Sequence, residues 1–446
     1  MREKLPFKVG ITALSILVVI VTFLLPTPEG LAFEGKMLLG ILVACVIMWI
    51  CEPIPIVITA WAFAAAVPLM GILSSNETWM SGVSVAMIVC LPCFAFALFV
   101  QYSSISLRII AFILKWAKHD SKKVLAGLML ATALLSLIID DLVLVIVMLP
   151  FAYRILDENK TPWGNKSNLA KALVLGIAFA SYIGGWITPV GSVVNILAMN
   201  IVLLPIAWFT IVKIFKPEPI SDEAIERIQK ERSEISGFGK DEIWGMLVIV
   251  VTLGLWIAGS WFPQLDMTVI GLLALFLMFL PPFKCVSFKK WCDESPWSVV
   301  MLNWAVGCFV AGFIATGAMV WLVNTAFAPL MGLPVIIVMI LVAVFACVVH
   351  NILPAGAAVA GLITIPVCGL VISLGGNVTA AIFMCAVFSS AAFLLPLDLC
   401  VYVAYSNERK YFSPFDELKV GWIPSVAAVL MVSIVLPLVC TAMGLA

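Results

Sequence analysis

The feature that most constrains this chain is a succession of apolar runs that recur from one end to the other. A helix of about 20 apolar residues is long enough to cross the ~30 Å hydrocarbon core of a bilayer. Of the 446 residues, 63% are hydrophobic and only 11% are charged, whereas about a quarter are charged in soluble domains. The runs lack the alternating pattern of membrane β-strands. We therefore predict an all-α, polytopic membrane protein without a separate soluble module.

Composition and motifs argue against several other functions. The net charge is zero, and Lys and Arg are not interleaved with aromatic residues as in nucleic-acid-binding proteins. The 12 cysteines are scattered among the apolar runs, and none has the spacing of a zinc site. Cys90 and Cys93 form a C-x-x-C, but inside an apolar run. A membrane enzyme would need a clustered nucleophile, a metal site or a phosphate loop, so the sequence predicts a transporter that needs no bound cofactor.

The basic residues predict how the chain crosses the membrane, because Lys and Arg gather in cytoplasmic loops. The basic start MREKLPFKVG precedes the first apolar run, which places the N-terminus in the cytoplasm. A layout of about eleven transmembrane helices and two re-entrant hairpins puts every Lys and Arg except Lys36 on the cytoplasmic side. The alternative, about thirteen plain spans, reverses several basic clusters. We expect the inner membrane of a bacterium or archaeon.

The two hairpins are predicted from the charges that flank them. The apolar stretch 124–153 has basic residues on both sides, which favours a hairpin that enters and leaves from the cytoplasm. The stretch 334–372 is followed by no basic residue before Arg409, which favours a hairpin from the outside. The predicted spans after them, 172–200 and 378–405, are both interrupted by proline.

These features predict two repeats of opposite orientation. Setting Pro189 against Pro396 aligns Gly191 with Asp398, each two residues after its proline. Broken helices in inverted repeats place free backbone groups near the middle of the membrane, where ions and substrates bind. A simple proline kink is the alternative at either position. The predicted parts of the chain are the first repeat, 1–216, the cytoplasmic linker, 217–242, and the second repeat, 243–446.

Several segments carry a resemblance to a known family. They are EPIPIVITAWAFAAAVPLMGIL from Glu52, SISLRIIAFILKWAKHDSKKVLAGLMLATALLSL before the first hairpin, IGGWITPVGSVVN over residues 183–195, and SPWSVVMLNWAVGCFVAGFIATGAMVWL. With the two hairpins, they resemble the divalent anion/sodium symporter family, which includes dicarboxylate, tricarboxylate and sulfate transporters. The resemblance implies an elevator-type secondary transporter, a homodimer, and coupling to sodium.

The resemblance also implies where a site would lie. The family has Ser-Asn-Thr at each hairpin tip, and this chain has Asp140, Asp141 and Leu142 at the first tip and Gly356, Ala357 and Ala358 at the second. After the first hairpin the chain keeps Gly191, Ser192 and Asn195 but has valines in place of the family's prolines. The substrate-binding candidates are therefore Asp141, Leu142, Ser192, Asn195, Ala357, Ala358, Leu399 and Tyr402. The cation-binding candidates are Asp140, Asp141, Gly191, Gly356 and Asp398.

The three acids carry most of the chemistry. An ionised carboxylate at the centre of a bilayer costs about 2.5–3.5 kcal/mol even by the lenient scale. We place no Lys or Arg at that depth, so the neutralising partner is a bound cation, a proton or a positive group of the substrate. Carboxylate and carbonyl oxygens suit Na⁺ at Asp140, Asp141 and Asp398, whereas burial favours protonation. Alternatively, Asp140 or Asp141 faces a water-filled cavity or caps the second helix of the hairpin.

These residues leave the coupling ion and the charge of the substrate open. His350, the membrane-embedded histidine, is either a proton relay or a hydrogen-bonded structural residue. The leading hypothesis is transport of a small dicarboxylate-like or sulfate-like anion, coupled to Na⁺ or H⁺. A Na⁺/H⁺ antiporter, or a cation-coupled carrier of a zwitterionic or cationic solute, is the alternative, because unneutralised acids repel an anion.

Overall fold

The computed structural model describes residues 5–442 except residues 118–119, 137–140, 186–192, 236, 260, 263, 282, 284, 354–355 and 391. For residues 86, 193–201, 257, 356–359, 361–362 and 390 it describes the backbone alone. Every regular element in these ranges is helical, and none is a strand. The prediction of an all-α protein is confirmed.

The helices follow one another with short connections. Those before the linker are α1 Leu5–Leu24, α2 Phe33–Cys51, α3 Ile56–Ala64, α4 Ala66–Leu69, α5 Ser75–Ser81, α6 Val85–Tyr102, α7 Ser104–Ala117, α8 Ser121–Ser136, α9 Asp141–Glu158, α10 Asn168–Gly185 and α11 Val193–Phe215. The linker forms α12 Asp222–Glu234. The rest are α13 Lys240–Gly259, α14 Met267–Phe279, α15 Phe288–Glu294, α16 Trp297–Thr316, α17 Ala318–Phe327, α18 Val335–Ile352, α19 Gly356–Ser373, α20 Val378–Ser390, α21 Leu399–Tyr405, α22 Pro414–Leu430 and α23 Leu436–Ala442.

Long apolar helices account for the membrane character of the chain. Among the described residues, six helices are long and apolar enough to cross a membrane, or seven if one bent pair is counted as a span. The bent pair is Met87–Tyr102 with Ser104–Ala117, which turn by 64°. Helix α7, after the bend, is amphipathic and buries Leu107, Ile110 and Leu114 along one face. Shorter apolar helices of 10–17 residues include Ile56–Leu69, Val202–Phe215 and Met267–Phe279.

Lys36, the exception to the charge rule, has a structural role. Its ammonium group donates a hydrogen bond of 2.7 Å to the backbone oxygen of Leu25, just beyond the end of α1. It also lies 4.8 Å from the centre of the Phe33 ring. Cations at a helix C-terminus are stabilised by its free carbonyl groups. Lys36 therefore serves α1 locally, and its position gives no information about the side of the membrane.

The chain divides into two compact units, which are described separately. The first contains residues 1–84, 298–398 and 426–446, and the second contains residues 85–297 and 399–425. Each predicted repeat, 1–216 or 243–446, is one continuous stretch of the chain, whereas each compact unit combines separate stretches. The boundaries of the repeats therefore stay a prediction.

In the second unit, α8 and α9 form a helical hairpin against α10. Gly176 of α10 lies against Leu125 of α8, and Gly184, two turns later, lies against Ala133 and Ser136, so α8 and α10 run in the same direction. Asp141 begins α9 beside the end of α10, and α9 then packs back along α10. Helices α8 and α9 are therefore antiparallel.

The two ends of this hairpin lie beside the linker. The Ser121 hydroxyl at the start of α8 donates to the backbone oxygen of Pro217 at 3.2 Å. Just after α9, the Asn159 side-chain oxygen accepts from the backbone N–H of Ser221 at 2.9 Å. The chain thus enters and leaves the hairpin at one end, and the tip lies at the other end, near Gly185.

Glu218 of the linker fixes the start of α10 at this end. Its carboxylate accepts hydrogen bonds from the backbone N–H groups of Asn168 and Leu169. Partial burial raises the pKa of the Glu218 carboxyl, but these hydrogen bonds outweigh that effect, so the pKa lies below its ordinary value. A carboxylate at a helix N-terminus also interacts favourably with the helix dipole.

The first unit contains a second hairpin of the same form. At one end, a Cβ atom on Gly376, just before α20, would lie 2.8 Å from Cγ1 of Val335, the first residue of α18. At the other end, Asn351 of α18 contacts Leu394, just after α20. Helices α18 and α20 therefore run in the same direction. Helix α19 connects the two ends in reverse, and both α18 and α19 pack against α20.

The two hairpins thus share one plan. Each consists of two antiparallel helices on a third helix, and each third helix ends at the level of the hairpin tip. The second helix carries an interior proline in both cases, Pro150 in α9 and Pro366 in α19. This common plan supports the predicted repeat. That the two enter from opposite sides of a membrane stays a prediction.

We expect Gly184→Ala to destabilise the second unit. A Cβ at this position would lie 2.3 Å from the backbone oxygen of Ala133, which cannot move without displacing α8. Overpacking of this kind costs about 1–3 kcal/mol. The midpoint of thermal unfolding of the purified protein measures the effect.

Gly127→Ala is the matched control. It lies on α8, and the nearest atom to its added Cβ is a Trp116 ring carbon at 3.8 Å, an ordinary contact. Because alanine favours helix over glycine by up to about 1 kcal/mol, this variant should be as stable as the wild type or more so. Equal midpoints for Gly184→Ala and the wild type would contradict the close packing of α8 on α10.

Candidate functional site

The tip of the first hairpin meets the end of α10 at four residues, Ser136, Asp141, Gly184 and Gly185, which we call the first half-site. The Ser136 hydroxyl donates to the backbone oxygen of Ser181 at 2.7 Å, which ties the end of α8 to α10. A Cβ on Gly185 would lie 3.4 Å from Cβ of Asp141 and 3.2 Å from the Ser136 hydroxyl. Gly185 thus leaves room for the Asp141 side chain at the tip.

The position of Asp141 at the start of α9 stabilises its charge. Its Oδ1 accepts a hydrogen bond of 3.0 Å from the backbone N–H of Leu142. The first N–H groups of a helix lack partners within the helix, and the helix dipole favours a negative charge there. A capping side chain accepts from an N–H group two or three residues further on, so the bond to Leu142 alone leaves capping by Asp141 a prediction. This geometry is compatible with cation binding, because a carboxylate has several acceptor positions.

Some predicted residues of the first half lie outside the described residues. They are Asp140, Gly191 and Ser192. The backbone of Asn195 lies in the first turn of α11, and its side chain is not described. Leu142, a predicted substrate contact, is buried. The predicted break at Pro189 lies between α10 and α11, also outside the described residues.

In the first unit, the second half-site lies where α18 ends beside the break after α20. We define it as His350, Asn351, Leu394 and Asp398. The buried Asn351 side chain accepts a hydrogen bond of 2.9 Å from the backbone N–H of Leu394 and donates one of 2.8 Å to the Cys347 oxygen. One side chain thus satisfies an N–H group in the break and fixes the break against the hairpin. Pro396 lies between the two helices, because α20 ends at Ser390 and α21 begins at Leu399.

His350 and Asp398 form the central contact of this half-site. Nε2 of His350 lies 3.4 Å from Oδ2 of Asp398, and their side chains are 1% and 13% exposed. A carboxylate removed from water needs a positive or hydrogen-bonding partner. In the sequence these residues are two independent candidates. The structure places the imidazole of His350, 48 positions earlier in the chain, beside Asp398, but neither ring nitrogen makes a hydrogen bond to a described residue, so the two form an ion pair only when the imidazole carries a proton.

The predicted residues of the second hairpin tip lie at the start of α19. Gly356 is the first residue of α19, and Ala357 and Ala358 follow in its first turn, with only their backbone described. The free N–H groups of a first helical turn favour an anion. The family's Ser-Asn-Thr side chains are absent here, so recognition at this tip would depend on the backbone.

Leu399 and Tyr402 lie on α21, in the second unit. Helix α21 packs against α9 and α10, which carry Asp141 and Gly185. The side chain of Tyr402 is buried, with its ring 6.4 Å from that of Tyr405. The predicted substrate-binding residues of α21 are therefore in the same unit as the first half-site.

The chemistry available at both half-sites is that of hard oxygen ligands. Each half-site has a carboxylate beside a helix end, where backbone carbonyl groups lack helical partners. Among the described residues, no group of three or more His, Cys, Asp and Glu could hold a metal ion. One carboxylate with neutral oxygen ligands suits a weakly bound alkali cation better than a transition metal.

Comparison with known proteins agrees with these features. A family model described as "Citrate transporter" matches residues 46–397. A sodium-dependent dicarboxylate transporter, SdcS, of Staphylococcus saprophyticus is 24% identical over 350 residues, which are 69% of this chain and 67% of that protein. The SdcS of Staphylococcus aureus is 28% identical over 200 residues, which are 43% of this chain and 38% of that protein. The match thus spans about two-fifths of the S. aureus relative.

The matched range of the family model includes both hairpins and two of the three acids, Asp140 and Asp141. It covers more than three quarters of the chain and ends at residue 397, immediately before Asp398. This chain belongs to the citrate transporter family.

Proposed function

We propose that this protein is a secondary active transporter of a small organic anion with two or more carboxylates, coupled to Na⁺. The observation that carries the proposal is that each hairpin meets a helix end where a carboxylate lies, Asp141 in one unit and Asp398 in the other. The membership in a family of citrate transporters and the similarity to sodium-dependent dicarboxylate transporters support the substrate class and the ion.

The charges require the cation to bind with the anion. A substrate carboxylate near ionised Asp141, or near ionised Asp398, would be repelled by it. A cation beside the acid cancels this repulsion and leaves the free N–H groups of the first turn of the hairpin's second helix, α9 in one unit and α19 in the other, to bind a carboxylate. Coupling then follows from electrostatics, because the anion has high affinity only when the cations are present.

Proton coupling is the second candidate, and the contact between His350 and Asp398 favours it. An imidazole 3.4 Å from a carboxylate can bind a proton, and the positive imidazolium would then cancel the negative charge of the carboxylate. In that case the second half-site would need no metal cation. The same contact also suits a purely structural role in which His350 orients Asp398.

The remaining parts of the proposal come from the family resemblance. We propose that the protein functions in the cell membrane as a homodimer, with its N-terminus in the cytoplasm, and that the hairpins move in an elevator mechanism. The basic residues that flank the first hairpin support this orientation.

A sodium gradient is expected to drive uptake in proteoliposomes. Purified protein would be tested with labelled succinate, citrate, sulfate and glutamate, under an inward gradient of Na⁺ or of K⁺, each with and without an inward proton gradient. We expect succinate or citrate to accumulate with Na⁺ and not with K⁺. Accumulation driven by the proton gradient in K⁺ would favour proton coupling, and accumulation of none of the anions would contradict the proposed function.

We expect Asp141→Asn and Asp398→Asn each to reduce the transport rate at least about tenfold and to weaken its dependence on Na⁺. Asparagine has nearly the same shape but provides one neutral oxygen in place of a negative charge. A tenfold loss corresponds to about 1.4 kcal/mol, which removal of one charged ligand can cost. Initial rates of uptake at several Na⁺ concentrations measure both effects.

Asp241→Asn is the matched control for charge, because Asp241 is exposed at the start of α13. It should transport like the wild type. The yield of folded protein after size-exclusion chromatography shows whether each variant is intact. If both folded variants transport at the wild-type rate with unchanged Na⁺ dependence, the two acids are structural and the coupling proposal is wrong.

A further inference from the structure

An apolar groove lies between α8 and α11 in the second unit. Its volume is about 260 Å³, which is several times the ~30 Å³ that a water molecule occupies in the liquid. All its lining residues are apolar, and they are Ala126, Met129 and Leu130 on α8 and Leu204, Pro205 and Trp208 on α11. Leu130 is 53% exposed, so the groove is open at the surface. A groove of this kind accepts a stretch of hydrocarbon chain.

Trp208 connects the two helices at one end of the groove. Its indole N–H donates a hydrogen bond of 3.0 Å to the backbone oxygen of Lys122, in the first turn of α8. On α8, Ala126 lies one turn further from this contact, and on α11, Leu204 and Pro205 lie one turn before it. The two helices are therefore antiparallel, and the start of α8 and the end of α11 lie at the same end of the groove.

Four lysines lie at this end, and we call them the basic cluster. They are Lys122 and Lys123 in the first turn of α8, Lys213 in the last turn of α11 and Lys216 just after it. The hydrogen bond from the Ser121 hydroxyl to the backbone oxygen of Pro217 brings the two pairs together. All four lysine side chains are exposed.

The register of both helices places the basic cluster beside the groove. On α8, Lys122 precedes Ala126 by four residues, so the two share one face of the helix. On α11, Pro205, Phe209 and Lys213 follow one another at the same spacing. The Lys213 ammonium lies 5.6 Å from the centre of the Phe209 ring. The apolar groove and the basic cluster thus form one continuous surface.

The carboxylates nearby do not match the charge of the basic cluster. Asp120 accepts a hydrogen bond of 3.0 Å from the backbone N–H of Lys122 and lies 4.0 Å from the Lys123 ammonium. The Glu218 carboxylate accepts from the N–H groups at the start of α10. The other three lysines of the cluster form no ion pair with a described residue. The cluster is therefore available to an external anion.

We propose that the groove and the basic cluster bind an anionic phospholipid. One acyl chain lies in the groove, and the headgroup phosphate binds the lysine ammonium groups. Trp208 lies between the apolar and the polar part, as indole rings do at the interface between a membrane and water. Apolar contact alone gives little selectivity in a bilayer, where the groove only replaces other hydrocarbon. The lysines therefore provide the selectivity for this lipid.

The position of the basic cluster also indicates the leaflet. The cluster lies at the open end of the first hairpin, which the flanking charges predict to face the cytoplasm. Lysines beside a membrane attract anionic headgroups, and each contributes about fivefold in affinity. The bound lipid would join α8 to α11 and stabilise the second unit. This lipid site is separate from the site of the proposed transport substrate.

Native mass spectrometry of the purified full-length protein in detergent measures the binding. The probes are dioleoyl phosphatidylglycerol, which is anionic, and dioleoyl phosphatidylcholine, which has the same chains and a zwitterionic headgroup. We expect the first phosphatidylglycerol to bind at least about tenfold more tightly than the first phosphatidylcholine. Glycerol phosphate, which lacks acyl chains, should not displace it at the same concentration. Displacement would show that the groove contributes nothing and would overturn the proposal.

The double variant Lys122→Gln/Lys213→Gln tests the headgroup contact. It should bind phosphatidylglycerol at least about tenfold more weakly than the wild type and phosphatidylcholine equally well, because two positive charges are lost. Lys240→Gln/Lys289→Gln is the matched control. It removes two exposed lysines of the same unit outside the basic cluster, at the start of α13 and in α15, and should bind both lipids like the wild type.

Ala126→Phe tests the groove. Its ring would occupy the space of the acyl chain and leave the lysines in place, so we expect the affinity for phosphatidylglycerol to fall several-fold. Leu135→Phe adds a ring to an exposed position of α8 that does not line the groove, and should have no effect. The midpoint of thermal unfolding without added lipid shows whether each variant is folded. If Ala126→Phe does not fold, Leu204→Phe replaces it from the other wall.

Two results would show that the proposal is wrong. Equal affinities for the two lipids, or equal binding of phosphatidylglycerol by the lysine variant and its control, would mean that the basic cluster does not select the headgroup. An unchanged affinity in the folded groove variant would mean that the acyl chain lies elsewhere. Neither result bears on the proposed transport function, which the uptake assay tests separately.

Discussion

The cost of an ionised carboxylate in apolar surroundings is the constraint on which this structure depends. Each unit has such a carboxylate at the meeting point of a hairpin and a third helix, and each unit stabilises it in a different way. Asp141 begins a helix, where free N–H groups and the helix dipole favour a negative charge. Asp398 lies in a helix break beside the buried imidazole of His350. Under the proposed function, a cation that binds at either half-site changes the net charge there.

Tight backbone packing holds these half-sites in place. At the first, Gly184 brings α10 within contact of the backbone of α8, and Ser136 adds a hydrogen bond to Ser181. At the second, Asn351 bonds to the break on one side and to its own helix on the other. Small residues and polar side chains are the usual means of packing helices in membranes, where apolar burial provides no driving force. Under the proposed function, the rigid hairpins present the two carboxylates at fixed distances from the free helix ends.

Sequence reasoning predicted the elements better than their contacts. The flanking charges indicated a hairpin over 124–153, and the structure has two antiparallel helices there. Pro396 indicated a broken helix, and α20 and α21 are separate. These predictions depend on local features, namely charge, apolar length and proline. The pairing of His350 with Asp398 depends on how α18 lies along α20, which no local pattern encodes. Both residues are polar within apolar runs, and this signal identified each of them as a candidate. It did not predict the contact between them.

Lys36 and Tyr153 also show that local sequence patterns do not predict the contacts of a polar side chain. The charge rule placed Lys36 on the outer side as an exception, and its reason became apparent only from its contact with the end of α1. Tyr153 follows an apolar run and carries no motif, so no pattern indicated that its hydroxyl is buried without a hydrogen-bond partner among the described residues. Whether a polar side chain is satisfied is a property of its surroundings and not of its own position in the chain.

The central claim is that cations neutralise the acids before an anion can bind. The affinity of the purified protein for succinate or citrate, measured at increasing Na⁺ with K⁺ keeping the ionic strength constant, tests it most directly. The account predicts that the affinity rises with the Na⁺ concentration. In a plot of the logarithm of the affinity against the logarithm of the Na⁺ concentration, we expect a slope of up to about two, because each half-site holds one cation. An affinity that is the same in Na⁺ and in K⁺ would contradict it.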